Sequence, residues 1–86
     1  MDVFGLAVNG NTISGNVNNT GPNRTTFTYI LTINSSNLTQ GTFDLNPREV
    51  RQVQASYPFV PGTFSISISA STQGDSDAET IIHTVY

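Results

Sequence analysis

The eleven residues PGTFSISISAS, from Pro61 to Ser71, decide the fold class of this chain. Apolar residues and serines occupy alternate positions, with Phe64, Ile66, Ile68 and Ala70 on one side and Ser65, Ser67, Ser69 and Ser71 on the other. A period of two is the pattern of a β-strand that buries one face and exposes the other. The exposed face of this strand therefore carries hydroxyl groups and no charge.

The rest of the chain continues this pattern, and no window keeps the spacing of an amphipathic helix. Turn-forming residues separate seven predicted strands, at 3–8, 12–17, 25–34, 38–45, 50–57, 63–71 and 79–86, with a loop at 72–78. Short strands at this spacing, in a chain somewhat below 100 residues, predict an all-β, seven-stranded sandwich of immunoglobulin or fibronectin-III-like type. A small barrel is the alternative.

The size and charge of the chain restrict its function. Its 86 residues predict one domain, 1–86, and a chain this short buries only about 60–65% of its unfolded surface, which disfavours a large internal cavity. Charged residues make up 10%, the net charge is −3, and lysine is absent. Because nucleic-acid binding requires cations against several phosphates, we expect no nucleic-acid partner.

The distribution of asparagine predicts an extracellular domain. Asn18, Asn23, Asn34 and Asn37 each begin an Asn-x-Ser/Thr glycosylation signal, and all four fall in or beside predicted loops. The chain has no cysteine and no apolar run long enough to cross a bilayer. We therefore expect a domain cut from a longer protein of the cell envelope, anchored to the cytoplasmic membrane by a segment upstream of Met1.

Three short motifs carry a resemblance to a known family: Asn19-Thr20-Gly21, Leu45-Asn46-Pro47 and Pro61-Gly62-Thr63-Phe64. In this arrangement the chain resembles the immunoglobulin-like CARDB modules of bacterial and archaeal surface proteins. By general character it is also similar to the anchored ectodomains at the base of the archaeal motility filament, the archaellum. These resemblances imply an immunoglobulin-like fold that binds other envelope proteins or copies of itself.

The acidic stretch near the end of the chain is the one candidate metal site. Asp75, Asp77 and Glu79 stand at alternate positions and are hard oxygen ligands of the kind that Ca²⁺ takes. The EF-hand pattern fails, since the glycine and the bidentate glutamate that it needs would fall at Thr80 and Tyr86. We interpret the stretch as a solvated acidic loop, with calcium as the alternative and no resident cofactor.

The sequence contains no constellation for catalysis. His83, the one histidine, lies in the last predicted strand, and no Gly-x-Ser-x-Gly elbow, phosphate loop or His-Glu-x-x-His pair is present. Glu49 and Arg51 are predicted to form a surface ion pair beside Arg48, although this cluster is also suited to an acidic partner. Catalysis is therefore not expected.

The outer face of one sheet is the candidate interface. In an immunoglobulin-like order the third, sixth and seventh strands share a sheet. The predicted interface residues are Ile30, Ser65, Ser67, Ser69, Ile81, Ile82, Val85 and Tyr86. Both faces of the last strand carry apolar residues, so the pattern leaves open whether the set containing Ile81 or the set containing Ile82 is outward. As an edge strand, this element is also predicted to accept a partner strand.

The residues therefore favour a non-catalytic binding and assembly domain that contacts itself or another cell-envelope protein. A polar face kept soluble by nearby glycans is an equally simple interpretation of the serines. Two other functions stay open, a carbohydrate-binding module and a passive spacer in an adhesin. A carbohydrate-binding module predicts exposed, clustered aromatic residues.

Overall fold

The computed structural model describes residues 1–86 as seven strands without a helix, which confirms the all-β class and the number of strands. No segment forms a helix that is long and apolar enough to cross a membrane. The strands are β1 Asp2–Asn9, β2 Thr12–Asn18, β3 Thr25–Ile33, β4 Ser36–Leu45, β5 Val50–Ser56, β6 Gly62–Thr72 and β7 Asp75–Val85.

Two antiparallel sheets form a sandwich. One has the strand order β1-β2-β5 and the other has the order β4-β3-β6-β7. Every pair of neighbouring strands is antiparallel. The strand orders show that the chain passes between the sheets at the β2–β3, β4–β5 and β5–β6 connections. The larger sheet brings β3, β6 and β7 side by side, and its outer surface is the one that the sequence singled out.

The predicted loop at 72–78 is wrong, because the sixth and seventh strands meet in a tight hairpin. Thr72 pairs with Asp75, so only Gln73 and Gly74 remain for the turn. Gly74 has a φ of +86°, a conformation that a residue without a Cβ adopts at little cost. The acidic stretch therefore belongs to β7 and is not a loop.

The core fills the space between the sheets with the inward residues of nearly all strands. The largest fully buried side chains are Phe27, Ile13, Leu31, Leu45, Ile66, Ile68 and Val17. Gly15 is buried among them, and a Cβ at this position would lie 3.2 Å from Cδ1 of Ile68. The missing side chain thus gives Ile68 the room to reach β2 across the sandwich.

Carboxylates close the side of the sandwich where β1 and β7 lie next to each other. Asp77 Oδ2 accepts the N–H of Val3 at 2.8 Å, and Glu79 Oε1 accepts the N–H of Leu6. Between these two amides β1 has a register shift at Gly5, whose φ is +69°. The side chains of β7 therefore satisfy edge amides of β1 that would otherwise lack a partner within the protein.

These contacts make the stability of the protein sensitive to acid. The N–H groups of Val3 and Ala78, both bonded to Asp77, hold the pKa of its carboxyl below the ordinary value, although partial burial acts in the opposite direction. A carboxyl whose pKa is lower in the folded state stabilises the fold fully above its unfolded pKa of about 3.9. That contribution is lost as the pH falls through the lower, folded pKa.

We expect the free energy of unfolding of the wild type to decline as the pH is lowered from about 5 to about 2. Asp77→Asn should be less stable at neutral pH and should decline less steeply over that interval. Urea unfolding at several pH values measures both quantities. Identical pH slopes for the two proteins would contradict the assignment of the Val3 contact.

Candidate interaction face

Ten adjoining outward residues of β3, β6 and β7 form one continuous surface, which we call the serine face. Its members are Thr28, Ile30, Thr32, Ser65, Ser67, Ser69, Ser71, Ala78, Thr80 and Ile82. Strand register sets them in rows across the sheet, so that Ser69 lies between Ile30 and Ala78, and Ser67 lies between Thr32 and Thr80. None of the ten carries a charge.

Hydroxyl contacts order part of this surface. Ser67 Oγ and Thr80 Oγ1 are 2.7 Å apart across the β6–β7 pair, and the hydroxyl oxygens of Thr63 and Thr84, just outside the serine face, are 3.5 Å apart. Side chains that already hold one another lose little conformational freedom when a partner covers them. These contacts therefore lower the conformational entropy that any contact with this part of the surface would cost.

Ile82 provides the apolar part of the serine face. It pairs with Ser65, and 66% of its surface is exposed, more than any other isoleucine or leucine in the protein. Removing such a side chain from water is favourable by roughly 1.5–3 kcal/mol if it becomes fully buried. Ile82 is thus the point on this face where a contact gains the most.

The structure decides between the two alternatives for the last strand. Ile81 and Val85 point to the inner side of β7, where they are half-buried against the core, so their assignment to the interface is corrected. Ile82 lies on the outer side, and Tyr86 is fully exposed just beyond the strand. The alternation along β7 places inward residues opposite the inward residues of β6, as in the pair of Ile81 with Ile66.

The outer side of the same sheet carries one charge in β4, Asp44, which pairs with Thr26 near the start of β3. Its carboxylate accepts hydrogen bonds from Thr26 Oγ1 at 2.5 Å and from Arg24 at 3.5 Å. The Thr26 contact is the largest cause that lowers the pKa of Asp44 below its ordinary value. The carboxylate is thereby fixed beside Thr26, outside the ten residues of the serine face.

The three carboxylates of the candidate calcium site are not gathered into a group that could hold a metal ion. Asp77 and Glu79 each bind an amide of β1, and Asp75 lies 3.3 Å from the terminal amino group of Met1. Alternate positions on a strand point to the same side, but here each carboxylate has a different donor, two amides of β1 and the terminal amino group that precedes it. The residues serve the edge contact between the two sheets.

His83 and Arg51 each pack against an aromatic ring. The His83 ring lies edge-to-face on Phe59, with 5.0 Å between ring centroids. The predicted pair of Glu49 with Arg51 is wrong, because Glu49 accepts the N–H of Asn46, and the guanidinium of Arg51 lies 5.2 Å above the ring of Phe43. The sequence did not predict the contact of His83 with Phe59 or that of Arg51 with Phe43, since each joins residues of different elements.

The four candidate glycosylation residues are not equally accessible. Asn23, Asn34 and Asn37 are exposed, whereas Asn18 is half-buried and its Oδ1 is buried without a hydrogen-bond partner. Asn34 uses its Oδ1 to accept the N–H of Ser65, which leaves its Nδ2 free. Three of the four thus satisfy the exposure that a glycan requires.

Asn19, to which the sequence pattern assigned no structural role, joins the β2–β3 connection to the end of β4. Asn19 is 3% exposed, and its Nδ2 donates to the carbonyl groups of Asn23 and Leu45, while its Oδ1 accepts the N–H of Gly21. Its position in the Asn-Thr-Gly motif was the one available signal.

Comparison with family models, with curated proteins and with solved structures found no match.

Proposed function

We propose that this chain is a non-catalytic assembly domain of the cell envelope that makes protein–protein contacts through the serine face. The observation that carries the proposal is that ten adjoining outward residues hold no charge, although Ile82 stands exposed among them. A contact here buries apolar and hydroxyl surface without the desolvation of an ionised group, which is the expensive part of covering an ordinary protein surface.

The dimensions of the larger sheet set the strength that we expect. Four strands about 4.8 Å apart and about ten residues long cover roughly 19 by 33 Å, or about 630 Å² in projection. Stable interfaces bury about 800 Å² on each partner, so contact through this face alone lies near the lower limit. We therefore expect reversible association, which repetition in an assembly would strengthen.

The finer identity of the fold is part of the proposal. A three-stranded sheet β1-β2-β5 against a four-stranded sheet β4-β3-β6-β7 fits the immunoglobulin and fibronectin-III-like order, in agreement with the resemblance to CARDB modules. Exposed asparagines in glycosylation signals and the absence of lysine support an extracellular location. The partner is then another copy, a surface-layer protein or a filament component such as the archaellum base.

A carbohydrate-binding module is the second candidate, and one cavity favours it. This cavity measures about 240 Å³ and is lined by Ile33, Asn34, Ser36, Asn37, Leu38 and Tyr57. The ring of Tyr57, however, is half-buried and packs edge-to-face on Phe59 at 5.0 Å, so it offers no free platform for a sugar. A passive spacer needs no exposed isoleucine in an uncharged face, and the assembly function therefore has the stronger support.

The proposal is tested by placing a charge at the most exposed apolar residue of the serine face. We expect Ile82→Asp to weaken self-association about tenfold or more, since the carboxylate would have to be desolvated in the interface. The matched control is Gln54→Asp, which puts the same charge on an exposed, outward position of the other sheet. Sedimentation velocity over a concentration series compares the three proteins.

Unchanged association of Ile82→Asp relative to the control would contradict the proposed face. If the wild type stays monomeric at every concentration, self-association fails, and the same two variants then compare binding to isolated envelope proteins. Saccharide binding that is lost in Tyr57→Ala but kept in Ile82→Asp would support the second candidate instead.

A further inference from the structure

The charged residues are segregated to opposite sides of the sandwich. The side formed by β1 and β7 holds Asp2, Asp75, Asp77 and Glu79, four of the six carboxylates, and no lysine or arginine. The side formed by β4, β5 and their adjoining loops holds all three arginines, Arg24, Arg48 and Arg51, with Asp44 and Glu49. Counting side chains alone, the first side carries four negative charges and the second carries one net positive charge.

The edge of β4 is open and lacks the features with which proteins usually block an edge strand. β4 has ten residues without lysine, arginine or proline, and its single charge is Asp44 near its end. In the smaller sheet both edges are protected, since amides of β1 bind carboxylates and β5 is short and bears Arg51. The larger sheet ends in β4 and β7, and β4 is the one of the two edges without acidic side chains along most of its length.

Arg51 stands beside this open edge without a carboxylate partner. The two ion pairs of the protein join Met1 to Asp75 and Arg24 to Asp44, and neither involves Arg51. Its guanidinium instead lies over the ring of Phe43, a residue of β4. Because a guanidinium over an aromatic ring keeps its outer N–H donors free, Arg51 is ready to receive a carboxylate from outside.

We infer that copies of this chain associate side by side, with the β4/β5 edge of one copy against the β1/β7 edge of the next. The inference rests on the proposed assembly function but uses a different surface from the serine face. The occupant is a second copy because the chain itself supplies the complementary charge, four carboxylates along one edge for arginines along the other. Two β1/β7 edges would instead bring carboxylates against carboxylates.

The strand directions agree with this arrangement. Successive strands in the order β4-β3-β6-β7 are antiparallel, so β4 and β7 run in opposite directions. A copy shifted sideways by one sheet width therefore presents its β7 antiparallel to β4, the geometry of a continuous sheet. Such a contact joins two different surfaces and does not close on itself, so it generates rows of copies with the serine faces on one side.

The test uses the whole chain and exchanges the charges of the two edges. Variant R48E/R51E makes the arginine edge acidic, and variant D2R/D75R makes the acidic edge basic. Asp77 and Glu79 are left unchanged because they bind amides of β1. We expect each variant alone to lose association about tenfold or more, and an equimolar mixture to regain it, as measured by sedimentation velocity at low salt.

Association of the wild type through these edges is also expected to weaken steeply with added sodium chloride, whereas contact through the serine face is not. The inference is overturned if the variants associate as the wild type does, or if their mixture gains nothing. Should either variant fail to fold, judged by circular dichroism, a wild-type association that is insensitive to salt overturns it equally. Association that ignores salt and edge charge but is lost in Ile82→Asp would leave the proposed function standing and this inference refuted.

Discussion

Replacing Ile68 with alanine is expected to lower the free energy of unfolding by about 4 kcal/mol, the largest single effect that we predict. Ile68 is fully buried in the middle of β6 and pairs with Leu31 of β3. Across the sandwich it reaches Gly15, which has no side chain to move into the space that the substitution leaves. The cavity therefore stays open, and the cost approaches the upper part of the range for truncating a buried isoleucine.

The matched control for this prediction lies one residue away. Ser69 points outward on the same strand and makes no side-chain hydrogen bond, so Ser69→Ala should change stability by no more than about 0.5 kcal/mol. Urea unfolding followed by circular dichroism measures both variants. Similar losses for the two would show that the alternation along β6 does not separate a core face from an outer face.

Replacing Asn19 with alanine is expected to cost about 2–3 kcal/mol, the second largest effect. Its side chain makes three hydrogen bonds, and one of the carbonyl groups that it serves, that of Leu45, lies in a fully buried residue. The main chain of Asn19 also exchanges hydrogen bonds with the β4–β5 connection, to Glu49 and from Arg48. Removing the side chain thus leaves buried backbone groups unpaired where two connections meet.

Asn23 provides the control for Asn19, since it belongs to the same loop but has an exposed side chain. Asn23→Ala, which retains the backbone carbonyl that Asn19 binds, should be nearly neutral. Thermal and urea unfolding of protein made without glycosylation isolate the hydrogen bonds from any glycan effect. A neutral Asn19→Ala would mean that water replaces the side chain and that the residue does not organise this end.

Much of the fold could be predicted from the sequence. Strand residues in a sandwich alternate between buried and exposed positions, and β6 shows this period of two without interruption. The boundary of β7 was not predictable in the same way. Asp75, Asp77 and Glu79 alternate with small residues and read as an exposed loop, because polar side chains rarely face inward. They do so here because the amides of β1 receive them, and a contact between residues more than 70 positions apart leaves no local signal.

The candidate site was predictable in part. The serine rows follow directly from alternation, whereas the outward face of β7 did not, since Ile81 and Ile82 are equally apolar and a shift of one residue exchanges them. The pairing of Ser65 with Ile82 supplies the missing register. The charge asymmetry of the two edges likewise depends on which strands lie at the edges, and composition alone gives no information about that order.

The most direct measurement of the central claim, that the serine face is a contact surface, is a concentration series of ¹H–¹⁵N correlation spectra. We expect the amide signals that shift with concentration to cluster in β6 and β7 around Ser65, Ser67, Thr80 and Ile82, and to stop shifting in Ile82→Asp. Shifts confined to the outer surface of β1, β2 and β5, or shifts that persist unchanged in Ile82→Asp, would contradict it.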